Sequence, residues 1–350
     1  MTLDALGWDH RLDEAFQPHR EQGQSPARVA AEHRGAYAIL DGRAERRAAV
    51  RGRLRDATVL AGGLPAVGDW VAVADSGGVP MIEAVLPRRT AVTRKTALSE
   101  ADEQVLAANV DTLFVVSDLA GDLDLRRLER YLATAYESGA QPIVVLTKLD
   151  LSPDRTPVVA AESVAIGVPV VAVSNVTGEG LADLDAFLGP AATVALLGSS
   201  GVGKSTLVNA LAGEQLMETG AVRRDGRGRH TTRHRQLLVL PGGALLVDTP
   251  GMRELQLWSG DLDEAFSDVA ALAARCRFAD CGHASEPGCA VKAALESGVL
   301  DRARLASYRK LERELEAVAA RADKRVWAAR KQRWRQRARE TRHARRYGPG

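Results

Sequence analysis

No run in this 350-residue sequence is apolar over anything near the ~18–20 positions that a membrane-crossing helix requires. The first 22 residues carry charges throughout and lack the apolar block of a secretory signal. A cytoplasmic protein with no membrane partner is therefore expected. Cysteine is nearly missing: there are three, all from Cys276 to Cys289. A disulfide framework favours an even number and a secreted context, so a metal site completed by a non-cysteine ligand fits better. No internal repeat is visible. Net charge is also small, +2 from 47 basic and 45 acidic residues, yet the balance is uneven. Positions 321–346 are crowded with Arg and Lys, opposed only by Asp323 and Glu340. Such a tail can neutralise nucleic-acid phosphates, or it can be a solvated helical face.

The chain divides by style. Residues 1–31 read as a flexible leader containing Gly23, Ser25 and Pro26. Over 32–96 come short β-like runs broken by glycine: Gly35-Ala-Tyr-Ala-Ile-Leu40, Ala49-Val-Arg-Gly-Arg-Leu54, Gly68-Asp-Trp-Val-Ala-Val73 and Met81-Ile-Glu-Ala-Val-Leu86. Even spacing of short strands predicts a small barrel or sandwich, and an oligonucleotide-binding barrel is one such fold. Over 97–258 apolar strands alternate with helices. Strands are expected over 112–116, 142–146, 168–173, 193–197 and 244–247, with helices over 125–136, 181–188 and from 202 or 203 to 211. That alternation predicts an α/β fold with a parallel sheet covered on both faces. Residues 259–350 read as helical, interrupted by the cysteine cluster.

Gly198-Ser199-Ser200-Gly201-Val202-Gly203-Lys204-Ser205-Thr206 matches the phosphate-loop pattern in full, after a strand and before a helix. Its glycines let backbone N–H groups turn toward phosphate oxygens, and the following helix adds its positive end. Lys204 reaches the β- and γ-phosphates, and the Ser205 hydroxyl suits Mg²⁺. Asp248-Thr-Pro-Gly251 follows a strand some fifty positions later. There Asp248 is the expected second Mg²⁺ contact, and Gly251 can donate its N–H to the γ-phosphate. Between them lies a polar, glycine-rich stretch with His230-Thr231-Thr232. A threonine here, with Thr232 favoured over Thr231, can close on Mg²⁺ only while the γ-phosphate is present.

Base choice is expected upstream. Thr147-Lys148-Leu149-Asp150 ends a strand and resembles the Asn-Lys-x-Asp element of GTPases. A carboxylate at Asp150 accepts from the N–H groups of guanine, whereas adenine leaves it unpaired. The Lys148 stem is expected over the base. Thr147 stands where asparagine is usual; its hydroxyl can tie neighbouring loops but offers fewer hydrogen bonds than an amide. Ser174-Asn175, after the next strand, resembles the element whose backbone N–H groups meet the guanine carbonyl. Base-recognition elements thus precede the phosphate loop, the order a circular permutation produces. Met252 occupies the position after Asp-x-x-Gly where many GTPases have a water-orienting glutamine, so a slow basal reaction is expected. His230 could position or deprotonate water, or be a loop histidine.

Cys276-x4-Cys281-x-His283-x5-Cys289 supplies three thiolates and an imidazole, a donor set suited to one closed, structural, tetrahedral Zn²⁺.

Together the permuted motifs, Gly228-Arg-His-Thr-Thr232, Asp248-Thr-Pro-Gly-Met-Arg-Glu254, the cysteine–histidine cluster running into Ala290-Val-Lys292, and Leu86-Pro-Arg-Arg-Thr90 with Arg94-Lys95 resemble the ribosome-small-subunit-dependent GTPase A family (RsgA/YjeQ). The resemblance covers residues 32–294. It implies an N-terminal oligonucleotide-binding barrel, a circularly permuted phosphate-loop GTPase core and a C-terminal helical zinc-binding domain. It further implies GTP hydrolysis with Mg²⁺, and late maturation of the small ribosomal subunit with release on hydrolysis. The small subunit and its rRNA are the partners so implied, for a chain expected to be a monomer. The chief rival expectation is an RNA-binding assembly factor with a weak or decayed nucleotide site. Intact Lys204, Ser205 and Asp248 argue against it.

Overall fold

The structure, a computed structural model, describes residues 1–33, 36–51, 64–75, 77–96, 99–152, 154–217, 236–248, 262–278, 280–284 and 286–317. Its N-terminal strands are β1 (Ser25–His33), β2 (Ala36–Leu40), β3 (Glu45–Val50), β4 (Trp70–Ala74) and β5 (Met81–Val85). They pair in the order β1-β2-β3-β5-β4, and β4 returns to β1. All these ladders are antiparallel except β3–β5. This closed five-strand path is the oligonucleotide-binding barrel rather than a sandwich. Strand alternation explains its filling. Ala27, Val29, Tyr37, Ile39, Val71 and Val73 share one buried cluster inside.

On β1, β2 and β4 the even-numbered positions face outward, and they are covered. Helix α1 (His10–Glu21) lays Leu12 and Phe16, one turn apart, into a cluster with Ala30, Ala38, Trp70 and Ala72. Trp8 bridges them, edge-on to Phe16 at 5.7 Å and to Trp70 at 4.8 Å between centroids. Asp9 caps the helix by accepting from the Leu12 N–H at 2.8 Å. The flexible leader expected over 1–31 is therefore corrected. Leu6, Leu12 and Phe16 are buried, and β1 itself begins at Ser25.

A hairpin of β6 (Ala91–Thr96) and β7 (Ser99–Ala108) leads out of the barrel into the α/β unit. That unit contains β8 (Thr112–Asp118), α2 (Leu125–Ser138), β9 (Gln141–Thr147), α3 (Thr156–Val164), β10 (Val170–Ala172), β11 (Thr193–Leu197), α4 (Lys204–Ala212), β12 (Gln236–Val239) and β13 (Leu245–Asp248). Spatial order is β10-β9-β8-β11-β13-β12, parallel except for antiparallel β12. Every residue of β8 is buried, which explains the unbroken apolar run. Leu113 and Val115 enter one core, Phe114 and Val116 the other. Within the helix expected over 181–188, residues Leu181–Phe187 wind as a 3-10 helix. Leu181, Leu184 and Phe187 recur every third position, so three residues per turn puts all of them on the core.

The last unit holds α5 (Leu262–Ala265), α6 (Ser267–Ala273), α7 (Ala290–Glu296) and a helix α8 over 302–317. Its apolar core of Leu262, Phe266, Val269, Val291 and Leu311 includes Ala133 and Tyr136 of α2. Among the described residues, no helix is long and apolar enough to cross a membrane.

Candidate nucleotide site and metal centre

Parallel strands aim their carboxyl ends at one edge of the sheet, where α/β proteins bind ligands. Here Asp118 ends β8, Thr147 ends β9, Ala172 ends β10, Leu197 ends β11 and Asp248 ends β13. Topology alone therefore assembles the candidate residues on either side of the central strand β11.

The loop after β11 is shaped by close approaches. A side chain on Gly198 would place its Cβ 2.2 Å from the Val116 carbonyl. Gly203 has φ +92°, in the left-handed region, and opens α4. Lys204 folds back so that Nζ donates to the carbonyls of Gly198 at 2.6 Å and Ser199 at 2.5 Å. Tyr131, buried on α2, meets the Ser199 hydroxyl at 3.4 Å. Ser200, Gly201, Ser205 and Thr206 occupy the loop and the first turn of α4.

On the neighbouring side, the Thr147 hydroxyl donates to the Val202 carbonyl at 2.5 Å. Lys148 takes a left-handed backbone (φ 61°), and its Nζ donates to Asp118 Oδ2 at 2.6 Å. Asp118 is itself fixed, its Oδ1 accepting from the N–H groups of Ala120 and Asp122 at 3.0 Å each. Asp150 is exposed, with Oδ1 accepting from the Ser174 hydroxyl at 2.6 Å. Ser174 is fully buried, and its oxygen accepts from the N–H of Thr177 at 3.1 Å. Asn175 donates from Nδ2 to the Gly203 carbonyl at 3.3 Å. The structure thus brings Thr147, Lys148, Asp150, Ser174, Asn175 and the loop of residues 198–206 to one place.

Across the loop, Asp248 Oδ2 is buried with no hydrogen-bond partner. Burial pushes its carboxyl up to about 6, against the opposing pull of the Lys204 cation. An orphaned buried carboxylate beside a phosphate loop fits a divalent cation, which would supply the missing partner. Mg²⁺ would suit that place, with Asp248 and the Ser205 hydroxyl as the oxygens on offer to hold it. Gly251, His230, Thr231 and Thr232, as well as Met252 and the basic stretch 321–346, lie outside the described residues.

Two residues escaped the sequence reading. Asp118 anchors Lys148, and Tyr131 contacts the phosphate loop. Asp118 had a legible signal, an acid at the carboxyl end of a fully apolar strand. Tyr131 had none, because its helix reaches the loop only through packing.

In the C-terminal unit, Cys276, Cys281, His283 and Cys289 offer ligand atoms all within 4.8 Å of one another. His283 Nδ1 lies 3.5 Å from the sulfurs of Cys276 and Cys289, and those sulfurs are 3.9 Å apart. Tetrahedral zinc, with bonds of ~2.3 Å to sulfur and ~2.0–2.1 Å to nitrogen, sets these separations near ~3.5 and ~3.8 Å. The four residues fit one structural Zn²⁺ with no vacant position. His283 has a left-handed backbone (φ 56°), as a tight knuckle requires, and its carbonyl accepts from Arg309 at 2.7 Å.

Comparison with known proteins agrees with this geometry. The RsgA GTPase family model matches residues 85–258. A curated relative from Opitutus terrae, named small ribosomal subunit biogenesis GTPase RsgA, is 53% identical and covers 97% of this chain and 98% of its own. This chain belongs to the RsgA GTPase family. A relative of the same name from Streptomyces coelicolor is 47% identical, over 93% of this chain and 90% of its own. The solved structure of YjeQ from Thermotoga maritima superposes with a TM-score of 0.64 at 27% identity, over 83% of this chain and 98% of the other. YloQ, described as a circularly permuted GTPase, shares the fold at a TM-score of 0.60 and 24% identity, over 84% of this chain and 96% of the other. A second model, described as 50S ribosome-binding GTPase, matches residues 193–331. Its match begins at the phosphate-loop strand and omits the barrel. The family member described here is thus a GTPase with a permuted core.

Proposed function

We propose that this GTPase serves biogenesis of the small ribosomal subunit. In this reading it binds the subunit and its rRNA in the GTP state, as a monomer in the cytoplasm, and leaves once GTP is hydrolysed. The relatives' shared name supports the biological role, and the barrel supports an RNA surface. One observation carries the nucleotide chemistry: the Ser174–Asp150 hydrogen bond presents a carboxylate beside a loop whose Lys204 faces the orphaned Asp248.

Each residue then has a role. Asp150 selects guanine, Lys148 walls the base, and the backbone N–H at Asn175 meets its carbonyl, while the Ser174 N–H donates to the Glu179 carbonyl at 2.9 Å and holds the loop. Residues 198–206 cradle the phosphates. Ser205 and Asp248 hold Mg²⁺; Thr232 and Gly251 sense the γ-phosphate. His230 positions the attacking water, since Met252 cannot. Equal subunit-stimulated turnover in His230→Ala and the parent would remove His230 from the mechanism.

The reading as a whole is tested by co-sedimentation with each ribosomal subunit under a GTP analogue and under GDP, at several salt concentrations. Selective, nucleotide-dependent binding to the small subunit is expected, weakening with salt as phosphate contacts do. Binding that ignores the nucleotide, together with absent GTP turnover, would favour the rival RNA-binding factor with a decayed site.

A further inference from the structure

Thr147 poses a physical question. The usual asparagine at this position brings an amide with two N–H donors, whereas threonine brings one hydroxyl proton. In this structure that proton is spent: Thr147 Oγ1 lies 2.5 Å from the Val202 carbonyl and 3.3 Å from Ser117 O, so Val202 is its recipient. The adjacent carbonyl, Gly203, accepts the first helical bond of α4 from the Leu207 N–H at 2.8 Å. Its second lone pair is met by Asn175 Nδ2 at 3.3 Å.

Three details make that contact more than a passing one. The other end of the amide, Asn175 Oδ1, is buried with no partner among the described residues, so the Gly203 bond is the polar contact they offer to hold this side chain in place. Gly203 is the point where both side chains converge: a Cβ there would meet Asn175 Nδ2 at 3.3 Å and Thr147 Oγ1 at 3.4 Å. Finally, Asn175 directly follows Ser174, whose hydroxyl holds Asp150. A short chain of bonds therefore runs from the base-selecting carboxylate to the phosphate loop through residues 174 and 175.

The geometry points to Asn175 as a positioning residue whose side-chain amide replaces, from the next loop, the donor that Thr147 lacks. Thr147 and Asn175 act as a pair, each holding one of two consecutive carbonyls at the turn where the loop enters α4. With those carbonyls tied back toward the base loops, the N–H groups of the same peptides stay turned toward the phosphates. This inference rests on the guanine-nucleotide reading of the site and adds to it a role for a side chain beside the backbone role of residue 175.

The test is a rescue. Nucleotide affinity is measured for the full chain by titration with GDP and with a non-hydrolysable GTP analogue, and kcat at saturating GTP. Asn175→Ala is expected to weaken both affinities by about threefold to tenfold, the range for one net hydrogen bond, while saturated kcat stays within about twofold. Adding Thr147→Asn to that variant restores affinity, because the amide then returns from its usual position. Thermal melts of the nucleotide-free proteins identify any variant that fails to fold, and Asn175→Ser, which cannot reach Gly203, then replaces Asn175→Ala. Unchanged affinity in the variant, or a loss that Thr147→Asn fails to recover, overturns the inference. Preference for GTP over ATP is measured in parallel. If the parent shows none, the guanine reading itself falls; a preserved preference with an unresponsive residue 175 overturns this inference alone.

Discussion

The barrel and the zinc unit flank the same GTPase core but are attached to it by different physics. The barrel joins through the backbone. Its strand β1 pairs with β12 at Ala31 and Gln236, so barrel and core share one continuous eleven-stranded sheet. Behind that junction lies Arg28, 1% exposed, donating to the carbonyls of Leu6, Gly68 and Asn109 and to the Thr193 hydroxyl. Burial pushes its guanidinium down to about 10, so it remains a cation at neutral pH. Four chain segments converge on one charge held by neutral oxygens.

The zinc unit instead joins through side chains, most of them met on α2, with Arg304 also donating to the Val164 carbonyl of α3 at 3.4 Å. Glu129 of α2 is fully buried and accepts from Arg304 at 3.0 Å, from Arg126 at 3.0 Å and from the Ser307 hydroxyl. Arg304 continues to Asp268 at 2.9 Å and lies 4.2 Å over the Phe266 ring. Arg130 forks onto Glu314 at 2.6 and 3.0 Å, and that hydrogen-bonded contact holds the Glu314 carboxyl below its ordinary range. The same helix touches the phosphate loop through Tyr131. One bridged strand pair, backed by the buried Arg28, ties barrel to core, whereas a cluster of charged side chains holds the zinc unit.

The largest expected effect is removal of zinc. Cys289→Ser, or chelation, should unfold residues 262–317, since structural zinc contributes ~10–16 kcal/mol in small zinc domains. Hydrogen exchange should then rise there and stay slow in β1 and β8. Equal loss of protection in the barrel would break the contrast drawn above. Next comes the charged cluster. Glu129→Ala leaves Arg304 with Asp268 as its carboxylate partner and should cost up to ~3–5 kcal/mol in the stability of the docked unit, read by denaturant unfolding. Replacing Glu129 and Arg304 together by methionine should recover most of that loss. Arg28→Met should cost less, ~1.5–3 kcal/mol, and lower the unfolding of barrel and core as one transition. Two separated transitions would show that the shared sheet is not what couples them.

The smallest effect is a pH dependence confined to the core. The folded Asp248 carboxyl is raised from 3.8 to about 6. Its protonated form contributes stability that is fully present below 3.8 and lost as pH rises through about 6. Mg²⁺ requires the ionised form, so Mg²⁺-dependent GTP affinity should weaken below about pH 6, approaching ~tenfold per pH unit, and Asp248→Asn should flatten the profile. Affinity that is flat from pH 5 to 7 in the parent would remove Asp248 from the metal site.

Local sequence determined the phosphate loop and the zinc knuckle, because each is a short contiguous segment. Gly198, Gly203 and Lys204, and likewise Cys276, Cys281, His283 and Cys289, are held near one another by chain connectivity alone. Apolar periodicity determined the core strands for a similar reason: alternation and burial are properties of consecutive residues. The 3-10 winding at Leu181–Phe187 went unread, although the three-residue spacing of its apolar positions carried the signal. What tertiary structure alone decided are the pairings between distant segments. Arg28 meets Thr193 across 165 positions and Arg304 meets Glu129 across 175. The order of residues 1–33 belongs here as well, since Leu12 and Phe16 become core residues only once the outer face of the barrel exists to receive them. So does the match of Thr147 to Asn175, whose donors are counted only when both loops reach Gly203. Composition records which donors and acceptors a chain carries; only the folded sheet settles which of them face each other out of water, where an unmet bond is costly.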